Sequence, residues 1–157
     1  MAIMEIFEDG APVLRQKAQP VTQVTKKIRR LVKDMIETMG AAEGVGLAAP
    51  QVGIGQRVIV VDVGEGPIAI INPEIQETAG TEVDVEGCLS IPGVYGYVNR
   101  ALQVVVTGID EMGKPIRVKG ENLLARALQH EIDHLDGVLF IDKVLDIQVD
   151  TDDDEQV

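Results

Sequence analysis

The stretch QHEIDHLDG, Gln129–Gly137, holds both histidines of the chain, His130 and His134, with the acid Glu131 between them. In a helix, residues four apart stand one above the other on the same face. Two imidazoles at that spacing converge on one point and can share a metal ion. Glu131 then sits beside them, within reach of a water held there. The plainer alternative is a pair of structural histidines on a helix.

The segment around this stretch, NLLARALQHEIDHLDG, predicts a late helix with Asn122 as its N-cap and Gly137 just past its end. Upstream, QVVVTGID and KPIRVKG predict a hairpin turning through Glu111–Gly113. Downstream, VLFIDKV is strand-like. RVIVVDV and IAIIN read as buried strands joined by a turn at GEGP, and EIQETAGTEVDVEG reads as strand, turn, strand. GVGLAAPQVGIGQ is a glycine-rich loop in which Pro50 opposes a regular helix. In TKKIRRLVKDMIETMGAAEG, Val24, Ile28, Leu31, Val32, Met35, Ile36 and Met39 recur at helical spacing with Lys and Arg opposite, which predicts an amphipathic helix. Thr25 is its N-cap candidate, and Gly40 or Gly44 its stop. Ile3–Phe7 is a short lead-in. The fold class is therefore α+β: short, mainly antiparallel strands around a central metal-binding helix, plus the early amphipathic helix. One catalytic domain is expected over residues 1–147, followed by an acidic tail over 148–157 that is expected to be solvated.

The 157 residues suffice for one domain with a real core. Aromatic residues make up 3%, so that core must be built from Val, Ile, Leu, Ala and Met. A formal charge of −12 argues against a nucleic-acid-binding surface, which needs Lys and Arg to neutralise phosphates. No apolar run approaches the roughly 20 residues a membrane helix needs. The start MAIMEIFEDG lacks the basic region of a signal peptide. With one cysteine no internal disulfide forms, so a cytoplasmic location is expected.

A metal held by His130 and His134 needs a further protein ligand. Zinc endopeptidases that use a third histidine place it six residues after the second, and here that position is Phe140. Those that use a downstream glutamate would have only Glu155, in the acidic tail. The remaining candidate is Cys88, in EGCLS. A lone cysteine is usually a small buried hydrophobe. Here Gly87 permits close backbone approach beside it. Three ligands with one open position is the pattern of a catalytic metal rather than a closed structural one.

Three motifs, GVGLAAPQ (Gly44–Gln51), EGCLS (Glu86–Ser90) and QHEIDH (Gln129–His134), occur together in this order, and the sequence resembles the peptide deformylases from about Ile6 through Val144. The resemblance implies one divalent metal ion on Cys88, His130 and His134, with Glu131 as general acid and base. It also implies that the Gln51 side-chain amide and the Leu89 backbone N–H donate to the substrate's formyl oxygen, and that the Gly46 backbone pairs with the substrate peptide. The substrate would be the formyl-methionine of N-formyl-methionyl nascent polypeptides. Fe2+ would be the native metal, with Zn2+ or Ni2+ in purified protein; ligand type alone would have suggested zinc.

Beyond the motifs, Val45, Leu123 and Ala127 are candidates for an unbranched apolar pocket beside the metal. Arg126, a charge in an apolar helix, reads as a surface residue whose stem lies along the pocket wall. Glu86 is expected to pair with Arg100, because a buried carboxylate near a metal needs a partner. The ending VLDIQVDTDDDEQV has no amphipathic helix and is strongly acidic, so ribosome docking through the C-terminus is not expected. A monomer is the default. A metallopeptidase and a non-catalytic, metal-stabilised binding module remain the rival readings. Metal removal separates the second, because a structural site unfolds with its ion.

Overall fold

The computed structural model describes residues 2–149 of the chain. Six strands form one sheet: β1 (Gly46–Ala48), β2 (Val58–Val61), β3 (Ile68–Cys88), β4 (Ile91–Ile109), β5 (Pro115–Glu121) and β6 (Val144–Val149). The first five lie in chain order, β6 adds to β4, and every pairing is antiparallel. Two helices, α1 (Lys26–Ala41) and α2 (Asn122–Leu135), complete the expected α+β architecture.

The central layer explains why VIVV is apolar at every position. Val58 and Val60 pack on Ile28, Val32, Met35 and Met39 of α1. Ile59 and Val61 pack instead with Ala125, Leu128, Ile132 and Leu135 of α2. A strand covered on both faces loses the polar alternation of a half-exposed one. Thr25 caps α1, its Oγ1 accepting from Ile28 N–H at 3.3 Å, a contact worth about 1 kcal/mol. Leu128 is fully buried between α2 and the sheet, so Leu128→Ala is expected to cost about 2–5 kcal/mol.

Several expected boundaries change. The glycine-rich segment is not all loop, because Gly46–Ala48 pairs with Val61–Ile59 as β1 and Ala49–Val52 forms a 3-10 turn. The strand, turn, strand expected in EIQETAGTEVDVEG is one stretch of β3, paired with β4 almost throughout. Gly80, at φ +66°, together with register shifts near Glu74 and Glu77, bends the strand without reversing it. Likewise β4 begins at Ile91, well before QVVVTGID, although the turn before β5 is where it was expected. Asn122 is the first residue of α2 rather than its cap and has φ +56°. Gly137 does follow the helix, at φ +76°, where a Cβ would lie 2.7 Å from the Arg15 carbonyl oxygen. VLFIDKV divides into a 3-10 turn at Phe140–Asp142 and the start of β6. β6 runs to Val149, two residues past the expected end of the domain, and the acids from Asp150 onward lie outside the described residues.

Candidate functional site

α2 presents His130, Glu131 and His134 toward the tight turn at Leu89–Ser90 that joins β3 to β4, where Cys88 is the last residue of β3. One ligand atom each from Cys88, His130 and His134 lies within 4.8 Å of the others. Cys88 Sγ is 3.3 Å from His134 Nε2. The two rings meet edge to face, with centroids 5.0 Å apart. Phe140, at the position where a third histidine would stand in some zinc endopeptidases, is instead buried and stacks at 6.2 Å from His130.

The donor set fits a divalent ion. Burial holds the His134 ring well below its ordinary pKa, so it is neutral, the form in which imidazole ligates. Burial disfavours charge on His130 too, yet contacts with Cys88 and Glu86 raise it well above its ordinary value. Glu131 Oε1 and His134 Nδ1 are buried without a hydrogen-bond partner among the described residues, and such atoms need one.

Glu131 directly follows His130 on α2, and burial pushes its carboxyl up to about 7. β1 crosses directly over it. A Cβ at Gly46 would lie 2.8 Å from Glu131 Cγ and 2.9 Å from Cδ, with Oε2 closer still, so only glycine fits there. Gln51 is 1% exposed. Its Oε1 accepts from Ala48 N–H at 2.9 Å, which turns Nε2 toward Ser90 Oγ at 3.1 Å and Cys88 Sγ at 3.6 Å. The amide is therefore held with its donor end facing the cluster.

Behind His130 lies Glu86, which is joined to Arg100 as expected. Arg100 donates from Nε at 2.7 Å and from Nη2 at 2.9 Å. His130 Nδ1 is 2.9 Å from Glu86 Oε1, which leaves Nε2 for the cluster. Burial alone would raise the Glu86 carboxyl; hydrogen bonds from Arg100 and His130 hold it well below the usual carboxylate range. Arg100 also donates to Asp133 at 2.6 Å.

A cleft of about 300 Å³ opens beside the cluster, lined by Val45, Gly46, Gln51, Leu89, Leu123, Ala127 and Glu131 among others. Ala127 is buried, whereas Val45 and Leu123 are exposed at the rim. The structure corrects Arg126. It is not a surface residue but is 7% exposed and bonded to Glu86. Tyr95 and Val85 also line the cleft and had no sequence signal of their own. Tyr95 is legible only through Gly87, where a Cβ would lie 2.7 Å from its ring. Ser90, which accepts from Gln51, lay inside EGCLS without an assigned role.

A family model described as polypeptide deformylase matches residues 3–149. The peptide deformylase of Halothermothrix orenii is 58% identical over 149 residues, covering 94% of this chain and 97% of that protein. That of Pelotomaculum thermopropionicum is 55% identical over 148 residues, covering 94% and 96%. Among solved structures, the peptide deformylase from Thermotoga maritima superposes with TM-score 0.89 at 46% identity, covering 92% of this chain and 99% of that one. A peptide deformylase from Synechococcus elongatus, in complex with actinonin, gives 0.88 at 48% identity, covering 91% and 79%.

Proposed function

This chain belongs to the peptide deformylase family, and from that premise we propose how its own residues carry the reaction. It is a hydrolase that removes the N-formyl group from the formyl-methionine of newly made polypeptides and releases formate. The observation that carries the site assignment is the convergence of Cys88, His130 and His134 beside the buried carboxyl of Glu131.

Cys88, His130 and His134 are the proposed metal ligands. An ion bound there supplies Lewis-acid activation of water and of the formyl oxygen. Glu131 is the proposed general base. A carboxyl near neutrality accepts the proton of the attacking water and returns it to the departing amide nitrogen. Gln51 Nε2 and the Leu89 backbone N–H are the proposed donors to the formyl oxygen as negative charge develops on it. At position 51 a carboxylate would repel that charge, whereas an amide stabilises it. The Gly46 backbone pairs with the substrate peptide along β1. The methionine side chain is proposed to enter the cleft between Val45, Leu123 and Ala127. Glu86 and Arg100 orient His130 from behind.

Fe2+ is the proposed native ion. Thiolate and imidazole donors also accept Zn2+ and Ni2+, so either is expected in purified protein. The proposed setting is the bacterial cytoplasm, with the enzyme acting as a monomer on nascent chains. A single cysteine used as a ligand supports a reducing compartment. Among the described residues no helix is long and apolar enough to cross a membrane.

Formate release tests this reading, using anaerobically purified, iron-loaded protein with formyl-Met-Ala-Ser and acetyl-Met-Ala-Ser peptides. Release from the formyl peptide is expected. A fully metallated protein that releases none contradicts it.

A further inference from the structure

Arg126 has no role in the reaction as derived so far, yet it is 7% exposed and its guanidinium donates to three protein acceptors. It stands one turn before His130 on α2, so both side chains project from the same helix face. Both end on Glu86. Arg126 Nη1 donates to Glu86 Oε2 at 2.7 Å, and His130 Nδ1 meets Oε1 at 2.9 Å. The rest of the guanidinium grips the hairpin itself. Nη1 also donates to the Val98 carbonyl at 3.0 Å, on β4, and Nη2 to the Glu82 carbonyl at 2.8 Å, on β3.

One side chain thus ties α2, which carries two proposed ligands, to both strands of the hairpin that carries the third. A planar fork suits this task, because it reaches a carboxylate and two carbonyls with fixed directions. Removing it leaves Glu86 held by Arg100 and His130 alone and takes away the direct ties from α2 to the Glu82 and Val98 carbonyls. We propose that Arg126 is a positioning residue for the metal centre. It sets the spacing of Cys88 from His130 and His134, and it aims Glu86 so that the His130 ring presents Nε2 to the ion. The proposal rests on the ligand assignment made above.

The test loads Co2+ into the wild type, Arg126→Leu and Arg126→Lys. It reads affinity by competition with a chelator, the d–d and thiolate charge-transfer bands, and the melting temperature of each protein with and without metal. The expected result for Arg126→Leu is a loss of about 10- to 100-fold in Co2+ affinity, altered d–d bands, and less stabilisation by metal than in the wild type. Arg126→Lys restores a cation but not the fork, and is expected to fall between the two. A folded Arg126→Leu protein with wild-type affinity and spectrum overturns the proposal. So does an equal drop in melting temperature with and without metal while the bands stay unchanged, which is what a merely structural role produces. If Arg126→Leu does not fold, Arg126→Lys decides: weakened affinity with shifted bands supports the proposal, and wild-type values overturn it. A wild type without thiolate charge transfer removes Cys88 from the ligand set, and the proposal with it.

Discussion

Glu86, Arg100 and Arg126 meet in the interior, whereas Arg15–Asp142 and Arg117–Glu77 pair at the surface. The Arg100 and Glu86 side chains are 3% and 4% exposed, against 43% and 38% for Arg15 and Asp142. At the surface, attraction is weak and the cost of pairing is small. In the interior both are large and roughly offset one another. The buried cluster therefore makes a poor stabiliser but a good jig, since each group has only one satisfactory orientation. It stands directly behind His130. The surface pairs touch nothing in the cleft.

Breaking the interior cluster is expected to have the largest effect on the fold. Glu86→Ala leaves two buried guanidiniums without their shared carboxylate and should cost about 3–5 kcal/mol, measured by urea unfolding. Metal affinity should fall with it. A loss below about 1 kcal/mol would place this cluster with the surface pairs. For Gln51→Ala, kcat is expected to drop about 100- to 1000-fold while metal content stays at the wild-type level. Loss of metal in step with loss of rate would instead make Gln51 a structural prop.

Glu131 gives the comparison a pH dependence. In metal-free protein its carboxyl titrates near 7, against an ordinary value of 4.5, because of burial. The folded state therefore holds a proton that the unfolded state releases as pH rises from 4.5 to 7. Glu131 thus subtracts stability progressively across that window, by about 3 kcal/mol at most. Metal-free Glu131→Gln should lose less stability over this range than the wild type. Parallel pH profiles for the two proteins would contradict the assignment.

The smallest effect belongs to the surface. Arg15→Ala should cost less than about 1 kcal/mol, diminish further in high salt, and leave deformylation unchanged. Arg15 holds the Asp142 carboxyl below its ordinary value. The pair's contribution is therefore present above the unfolded carboxylate pKa and is lost as pH falls through the folded one.

Much of the site was legible because its chemistry is local. His130, Glu131 and His134 share one helix face, and helical periodicity reveals that without any fold. Cys88 followed from the scarcity of other ligands, and Glu86–Arg100 from the need of a buried carboxylate for a partner. Arg126 was misread because two of its three acceptors are the carbonyls of Glu82 and Val98, 44 and 28 residues away. Backbone acceptors are the same for every residue type and leave no mark in a sequence. β3 was divided at a turn because Gly80 lies in a polar, exposed run without clear alternation, and only its pairing with β4 shows that it continues. β1 was hidden for a related reason. Two of its three residues are Gly and Ala, weak strand formers, and Gly46 is there to clear Glu131.

The most direct test of the account compares formate release from formyl-Met-Ala-Ser by the wild type and Glu131→Ala, each anaerobically loaded and assayed for one metal ion per chain. The account predicts release by the wild type and near-complete loss in a folded, equally metallated variant. Wild-type rates from a metallated Glu131→Ala protein would contradict it, because Glu131 would then not be the group that moves the proton.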